Sequence, residues 1–299
     1  SSQDRDPLAA LVHIPTMLPS NHPQADDILQ IAADTGRFLL DEEWLFSEVN
    51  SEHSPPLIAK AAWHGFLPMF SKDEELLLIK MHTARTVLEP GTIHVGRQSR
   101  KKSAQFRLSV NEAFDEVVRM LMEHTFTHEA GDCWLTPAFA KLYKAVNQLP
   151  DHARRGVRFY SVELWHKASG KLAAGEIGYT VGSIYSSCTG FALKKEFPGS
   201  GTLQLCALGR LLRRCGFQLW DLGMEMDYKK ELGGKVRPRA SWIACVRKLR
   251  ETETQLCSQE ATATTKDLLS ASLDEEAAEK AEVAKPEVAP APAASTPTL

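Results

Sequence analysis

Three strand-forming runs joined by tight turns constrain this chain more than any other feature. Residues 157–167 (VRFYSVELWHK), 171–181 (KLAAGEIGYTV) and 184–191 (IYSSCTGF) carry Val, Ile, Tyr, Phe and Thr, the residue types that suit a pleated sheet. Ser169-Gly170 and Gly182-Ser183 separate them, and connections that short join antiparallel neighbours. Gly201-Thr202 then opens a run with Leu205, Leu208, Leu211, Leu212 and Cys215 at helical spacing, and Gly216 closes it. Residues 217–224 (FQLWDLGM) read as one more strand.

Upstream, residues 36–150 mix helices with short strands. Residues 57–65 (LIAKAAWHG) predict an amphipathic helix ended by a glycine. Asn111 is placed to cap a helix bearing Phe114, Val117, Val118, Leu121 and Met122. Thr136 caps another, with Pro137 at its first position and Ala138, Leu142 and Val146 on its apolar face. The expected organisation is a loose extension over 1–35, a mixed α/β domain over 36–150, a second domain over 151–250 and a disordered tail over 251–299. The tail prediction rests on its Ala, Glu, Pro, Thr and Ser content, which buries too little surface to offset chain entropy.

No stretch reaches the ~18 consecutive apolar residues of a membrane helix, and the first residues lack the layout of a secretory signal. The six cysteines (133, 188, 206, 215, 245, 257) form no CxxC pair and no Cys/His cluster. Scattered thiols of this kind suit a reducing compartment, so a cytoplasmic monomer with no metal and no cofactor is expected. From Glu251 onward there are ten acidic and three basic residues; removed from totals of 38 and 35, they leave 28 acidic and 32 basic residues in 1–250. The mildly basic body permits a nucleic-acid partner. Within it, Arg97, Arg100, Lys101, Lys102 and Arg107 cluster over residues 94–107 without one acidic residue, a pattern that neutralises phosphates.

Five segments, in order, resemble the bacterial leucyl/phenylalanyl-tRNA–protein transferase family. They are WHGFLPMF (63–70), HVGRQSRKK (94–102) with the FRLSVNEAFDEVV that follows, CWLTPAFAKLYKAV (133–146), YSVELWHKASGKLAAGEIGYTVGSIY (160–185) and GFQLWDLGMEMDYKKELGGKVRPRASWI (216–243). Together they span roughly residues 37–250. The resemblance implies an α+β fold with an acetyltransferase-like (GNAT-like) C-terminal domain and a smaller mixed α/β N-terminal domain; three antiparallel strands, a helix and a strand form the core order of that fold. It further implies transfer of an amino acid from aminoacyl-tRNA to the N-terminus of an acceptor protein, which marks that protein for N-end-rule degradation.

Carried over residue by residue, the resemblance makes Asp221 a catalytic carboxylate; Glu225 and Asp227, just after it in DLGMEMDY, are candidates to handle protons in place of the side chain missing at Gly223. Trp134, Glu176, Tyr185, Cys188 and Gly190 fall where the donor amino acid and terminal adenosine are held. Trp63 and Trp134 are the candidate stacking faces. Arg97, Arg100, Lys101, Lys102 and Arg237 fall where tRNA is contacted. Arg239 and the Gly233-Gly234 turn complete the last motif.

Four positions depart from the family pattern. Met69 stands where the family has Trp, Gly223 where it has a supporting Gln, Cys188 where it has Glu, and Glu176 where it has an apolar pocket residue, usually Met. A carboxylate lining the pocket would reject leucine and phenylalanine and pair with a cationic amino acid, so an altered donor is expected. Cys188 has no histidine placed beside it by any motif, which favours a packed strand thiol over a nucleophile. Two other readings stay open: an acyl-CoA N-acyltransferase, with FPGSGT (197–202) holding pyrophosphate, and a degenerate protein that binds tRNA or protein N-termini without chemistry.

Overall fold

The computed structural model describes residues 17–71, 75–124, 133–256 and 264–270. The three strand-forming runs become β6 (Arg158–His166), β7 (Leu172–Val181) and β8 (Ile184–Ala192), consecutive and antiparallel. They are followed by helix α7 (Ser200–Arg214) and by β9 (Leu219–Gly223), which lies parallel to β8. The expected core order is therefore present. Every residue of β7 is buried, as a central strand covered on both faces requires.

The sheet extends beyond this core in both directions. Strand β5 (Phe106–Val110) adds to β6. Strand β4 (Ala84–Leu88) pairs with β9, and β10 (Lys235–Pro238) pairs with β4. The seven strands run β10-β4-β9-β8-β7-β6-β5. The boundary expected at 150–151 thus falls within one sheet, because β4 and β5 come from the first half of the chain. A separate antiparallel sheet of β1 (Trp44–Glu48), β3 (Leu76–Lys80) and β2 (Leu67–Ser71) stands beside it.

Two apolar clusters cover the faces of the large sheet. On one, α7 sets Leu203, Leu208, Leu211 and Leu212 against Val162, Leu164 and Trp220. On the other lie α1 (Ala25–Thr35), α2 (Ser54–Trp63), α4 (Phe114–His124) and α5 (Pro137–Gln148). Phe139, Tyr143, Phe159 and Tyr179 form a chain of ring contacts that joins α5 to β6 and β7. The last helices are α8 (Asp227–Glu231) and α9 (Arg239–Leu249); α3 (Arg97–Lys102) holds the basic run, and α6 (Asp151–Arg154) is a single turn.

Thr136 caps α5 as expected, its hydroxyl accepting from the Phe139 amide at 3.2 Å. Asn111 does not cap α4. Its side chain accepts instead from the Ser161 amide on β6 at 2.9 Å, while the Glu163 carboxylate takes the Ala113 amide at the helix entrance at 3.2 Å. Part of the extension expected to be loose is also packed: α1 buries Ile28, Leu29 and Ala32 completely. So is part of the tail, for Thr265, Leu268 and Leu269 are buried against the α7 face. The rest of the predicted tail, 257–263 and 271–299, and residues 1–16 lie outside the described residues.

Candidate active site

The β8–β9 ladder holds only the pairs Ile184–Leu219, Tyr185–Trp220 and Ser186–Asp221. Past them the two parallel strands part, which is where open sheets of this kind form ligand crevices. A cleft of about 560 Å³ opens there. Its walls are Ser187–Phe191 of β8, Leu222–Met224 at the end of β9, the first turns of α7 (Gly201, Gln204, Leu205), Met226, Tyr228 and Lys229 around α8, and Leu67, Met69, Lys80, His82 and Trp134 from the first half of the chain.

Glu176 reaches this cleft from β7, directly across from Gly190. Its Oε1 accepts from the Tyr185 hydroxyl at 2.9 Å and from the Ser187 hydroxyl at 2.8 Å. Tyr185 attains this position because residue 178 is glycine: a Cβ there would stand 2.3 Å from the tyrosine oxygen. Both donors serve one oxygen, Oε1. Burial pushes Glu176 up to about 7, against the opposing pull of the Ser187 and Tyr185 hydrogen bonds and of Lys229.

A raised carboxylate favours the protonated folded form. Its stabilising contribution is full below the ordinary carboxylate range and is lost as pH climbs through about 7. Glu176→Gln is therefore expected to be more stable than wild type at pH 8, by up to about 3 kcal/mol, with the gap closing near pH 4.5. Urea denaturation at the two pH values checks this, and a gap that fails to depend on pH would refute it.

Asp221 lies beneath the cleft rather than in its wall. It is fully buried and salt-bridged to the fully buried Arg85 of β4, with Nη1 to Oδ2 at 2.5 Å. Its Oδ1 accepts the Gly223 amide at 2.9 Å. The geometry makes it a positioning group for the β9 exit. Glu225 is not in the cleft either: it is exposed and salt-bridged to Lys230. Asp227 is likewise exposed, at the start of α8.

Of the residues assigned to the donor site, Trp134, Glu176, Cys188 and Gly190 line the cleft, and Tyr185 stands behind it as the support of Glu176. Met69, in the position of the family's Trp, lines it too. Trp63 does not; the guanidinium of Arg250 lies 4.9 Å from its ring and that of Arg155 5.9 Å. Burial, with Asp221 and Glu176 nearby, pushes the Cys188 thiol far up, so it is an inert thiol and not a nucleophile.

The basic run forms α3, tied to the segment just before α7 by Lys102, whose Nζ donates to the Pro198 carbonyl at 2.7 Å. Arg97 and Lys101 are exposed on it. Two other arginines of the run are committed elsewhere. Arg100 donates to the Leu269 carbonyl at 3.1 Å, and Arg107 pairs with Glu112 at 2.7 Å beside the Thr264 bridge. Arg237 sits on edge strand β10 with its guanidinium 3.7 Å from the Cys245 sulfur. Arg239 ties backbone carbonyls of Glu42, Met81 and His82 together.

Sequence reasoning missed Arg85, His82 and Lys229. Arg85 is 136 residues from the aspartate it pairs with. His82 is held as a neutral ring, pushed down to about 2 by burial and by Arg85, Lys80 and Lys229. Among the described residues no helix is long and apolar enough to cross a membrane, and no three His, Cys, Asp or Glu residues are grouped to hold a metal ion.

Comparison with known proteins follows the same cleft. The leucyl/phenylalanyl-tRNA–protein transferase from Tolumonas auensis is 27% identical over 205 residues, 68% of this chain and 81% of its own length. That from Thiobacillus denitrificans is 28% identical over 208 residues, covering 69% and 84%. That from Aeromonas hydrophila is 25% identical over 228 residues, covering 76% and 90%. Among solved structures, FemX aligns at 12% identity with a TM-score of 0.38 over 65% of this chain and 70% of that one. The family model described as leucyl/phenylalanyl-tRNA protein transferase matches residues 87–247, a span that carries Glu176, Cys188, Asp221 and Lys229 and exceeds half of the chain, so the chain belongs to that family.

Proposed function

We propose that this protein moves an amino acid from aminoacyl-tRNA to the free N-terminal amine of an acceptor protein. The observation that carries the reading is the seating of basic helix α3 at the start of α7, whose first turns wall the cleft. In this reading a phosphate backbone rests on Arg97 and Lys101, and the single-stranded end enters the cleft that Trp134 and Glu176 line. Arg97, Lys101 and Lys102 serve the backbone; Arg237 is an auxiliary contact at the far edge of the sheet; Arg100 reaches tRNA only if the 264–270 segment lifts away. The acceptor amine then attacks the ester carbonyl in the cleft. Aminolysis of an ester is downhill, so holding the partners together supplies much of the rate. The protein acts as a monomer in the cytoplasm, and its product enters N-terminal-residue-dependent degradation.

The test is incubation with a full set of charged tRNAs and peptides of varied N-terminal residue, read by mass spectrometry for the added residue. Binding of charged tRNA without any transfer would favour a degenerate binder. Acetyl-CoA binding by calorimetry would favour an acyl-CoA enzyme. The double variant Arg97→Glu/Lys101→Glu is expected to weaken tRNA binding at least tenfold and to flatten its dependence on salt, since each neutralised phosphate adds to that slope. An unchanged slope would remove α3 from the interface.

A further inference from the structure

The cleft holds a lysine that neither the motifs nor the family pattern singled out. Lys229, on α8, is only 8% exposed, yet it lines the cleft. Its ammonium donates to the Met224 carbonyl at 2.8 Å. It lies 3.9 Å from the point where a Cβ on Gly223 would stand, in the space that opens because this chain has no side chain at the family's glutamine position. Gly223 itself has φ +76°, a backbone that a side-chain-bearing residue adopts only with strain. The β9 exit is thus shaped around glycine, and the amine enters from the neighbouring helix.

Most of the other titratable groups of the cleft are poorly suited to moving a proton near neutral pH, Glu176 at about 7 excepted. Burial holds the Cys188 thiol and the Tyr228 hydroxyl protonated, the latter pushed up to about 12. His82 is too weak a base, held at about 2. Glu176 is anchored through Oε1 by two hydroxyls on the β7–β8 side. Lys80 is drawn toward Glu43 at 3.5 Å and over the Trp44 ring.

We propose that Lys229 is a catalytic residue of the transfer, its neutral Nζ taking a proton from the attacking amine and returning it to the departing ribose oxygen. The step balances. The amine nitrogen bonds to the ester carbonyl carbon, and one of its protons passes to Nζ. The carbon–oxygen bond to the terminal ribose breaks, and the new hydroxyl receives that proton from the Lys229 ammonium. The products are an amide, a tRNA with a free terminal hydroxyl, and Lys229 neutral again.

The groups facing Lys229 are suited to this role. Burial and the Arg85 charge lower it, Asp221 and Glu176 raise it, and the balance leaves it at about 8. His82 faces it as a neutral ring, and the Tyr228 ring lies 5.7 Å away. A base of that strength is partly neutral at working pH and is a competent acid once charged.

This assignment rests on the transferase reading, and the experiment separates the two. Wild-type transfer is first established with charged tRNA; its absence with every tRNA would sink the transferase reading itself. Transfer by Lys229→Arg and Lys229→Met is then followed from pH 6.5 to 9.5 at saturating acceptor, alongside tRNA affinity and melting temperature. Arginine keeps the charge but stays protonated throughout. Both variants are expected to lose at least a hundredfold in kcat, the low end for a general acid–base group, with tRNA affinity within threefold of wild type. The rise of kcat near pH 8 is expected to disappear. Near-wild-type kcat in Lys229→Arg would overturn the proposal and leave a purely electrostatic role. Should the variants melt early, selective labelling of Lys229 in the wild-type protein decides: reactivity that rises with a midpoint near pH 8 supports it, and a midpoint above 10 overturns it.

Discussion

Asp221→Asn is expected to lower the melting temperature by about 10 °C and to reduce transfer at least tenfold, while tRNA binding persists below the new transition. The aspartate and Arg85 are both fully buried and 2.5 Å apart. Neutralising one member leaves the other's charge inside the sheet without compensation, at a cost of about 3–5 kcal/mol. In a body of this size each kcal/mol shifts melting by about 2–4 °C. The Gly65 carbonyl, at 3.3 Å from Nη2, is a poor substitute partner. A double variant, Arg85→Met with Asp221→Leu, removes both charges and is expected to recover most of the lost stability. It is not expected to recover transfer, because the Gly223 amide has lost its acceptor and Lys229 has lost its nearest carboxylate. Melting within 2 °C of wild type for Asp221→Asn would refute the structural part. Full transfer by the double variant would show that the carboxylate serves stability alone.

What the sequence discloses here follows the range of the forces involved. The β6–β7–β8 meander, α7 and β9 are legible because glycine turns and side-chain periodicity act over a few residues. Thr136 announces its helix for the same reason. Asn111 misleads because Glu163 reaches back across 50 residues to take the Ala113 amide. The buried pair is invisible for the same cause: nothing around Asp221 marks Arg85, which arrives on a strand inserted from the first half of the chain. The tail misleads through averaging. Its Ala, Glu and Pro content describes most of it, yet Leu268 and Leu269 are buried on the α7 face, helped by the Arg100 bond to the Leu269 carbonyl and the Arg107–Thr264 bridge.

The candidate site divides in the same way. Trp134, Glu176, Cys188 and Gly190, which the resemblance assigns to the donor site, meet in one cleft: strand register sets Glu176, Cys188 and Gly190 on β7 and β8, and Trp134 comes from the loop before α5. Glu225, suggested by its nearness to Asp221 in sequence, is not there, since the chain turns after Gly223 and leaves that carboxylate in solvent beside Lys230. Lys229 and Lys230 are adjacent and chemically identical in sequence. Only the packing of α8 sends one inward, three residues before the buried Leu232, and the other outward. The basic run is also less uniform than its composition, for Arg100 is shared with the 264–270 segment and Arg97 and Lys101 are left exposed.

The donor amino acid is expected to be cationic, and Glu176→Met is expected to reverse that preference. The cleft beside Glu176 is walled by Met69, Leu67, Trp134 and Phe191 as well as by the polar Ser187, Gln204 and Lys229, and its apolar part would accept leucine or phenylalanine if the carboxylate were absent. With it present, an apolar side chain brings the carboxylate no counter-charge and protonation relieves the penalty; burial already raises it to about 7. A lysyl or arginyl donor supplies that counter-charge. A charge-assisted hydrogen bond of this kind contributes about 1.5–3 kcal/mol, or roughly 10- to 100-fold in kcat/KM. Wild type is therefore expected to use Lys- or Arg-tRNA over Leu- and Phe-tRNA by that factor, and more strongly at pH 8 than at pH 6, where protonation weakens the pair. The methionine variant restores the family's apolar wall and is expected to favour Leu-tRNA. Competition among the four charged tRNAs, read by the mass of the added residue, measures both factors. Equal use of Leu-tRNA by wild type and variant, with no use of the cationic donors, would show that Glu176 does not face the donor side chain.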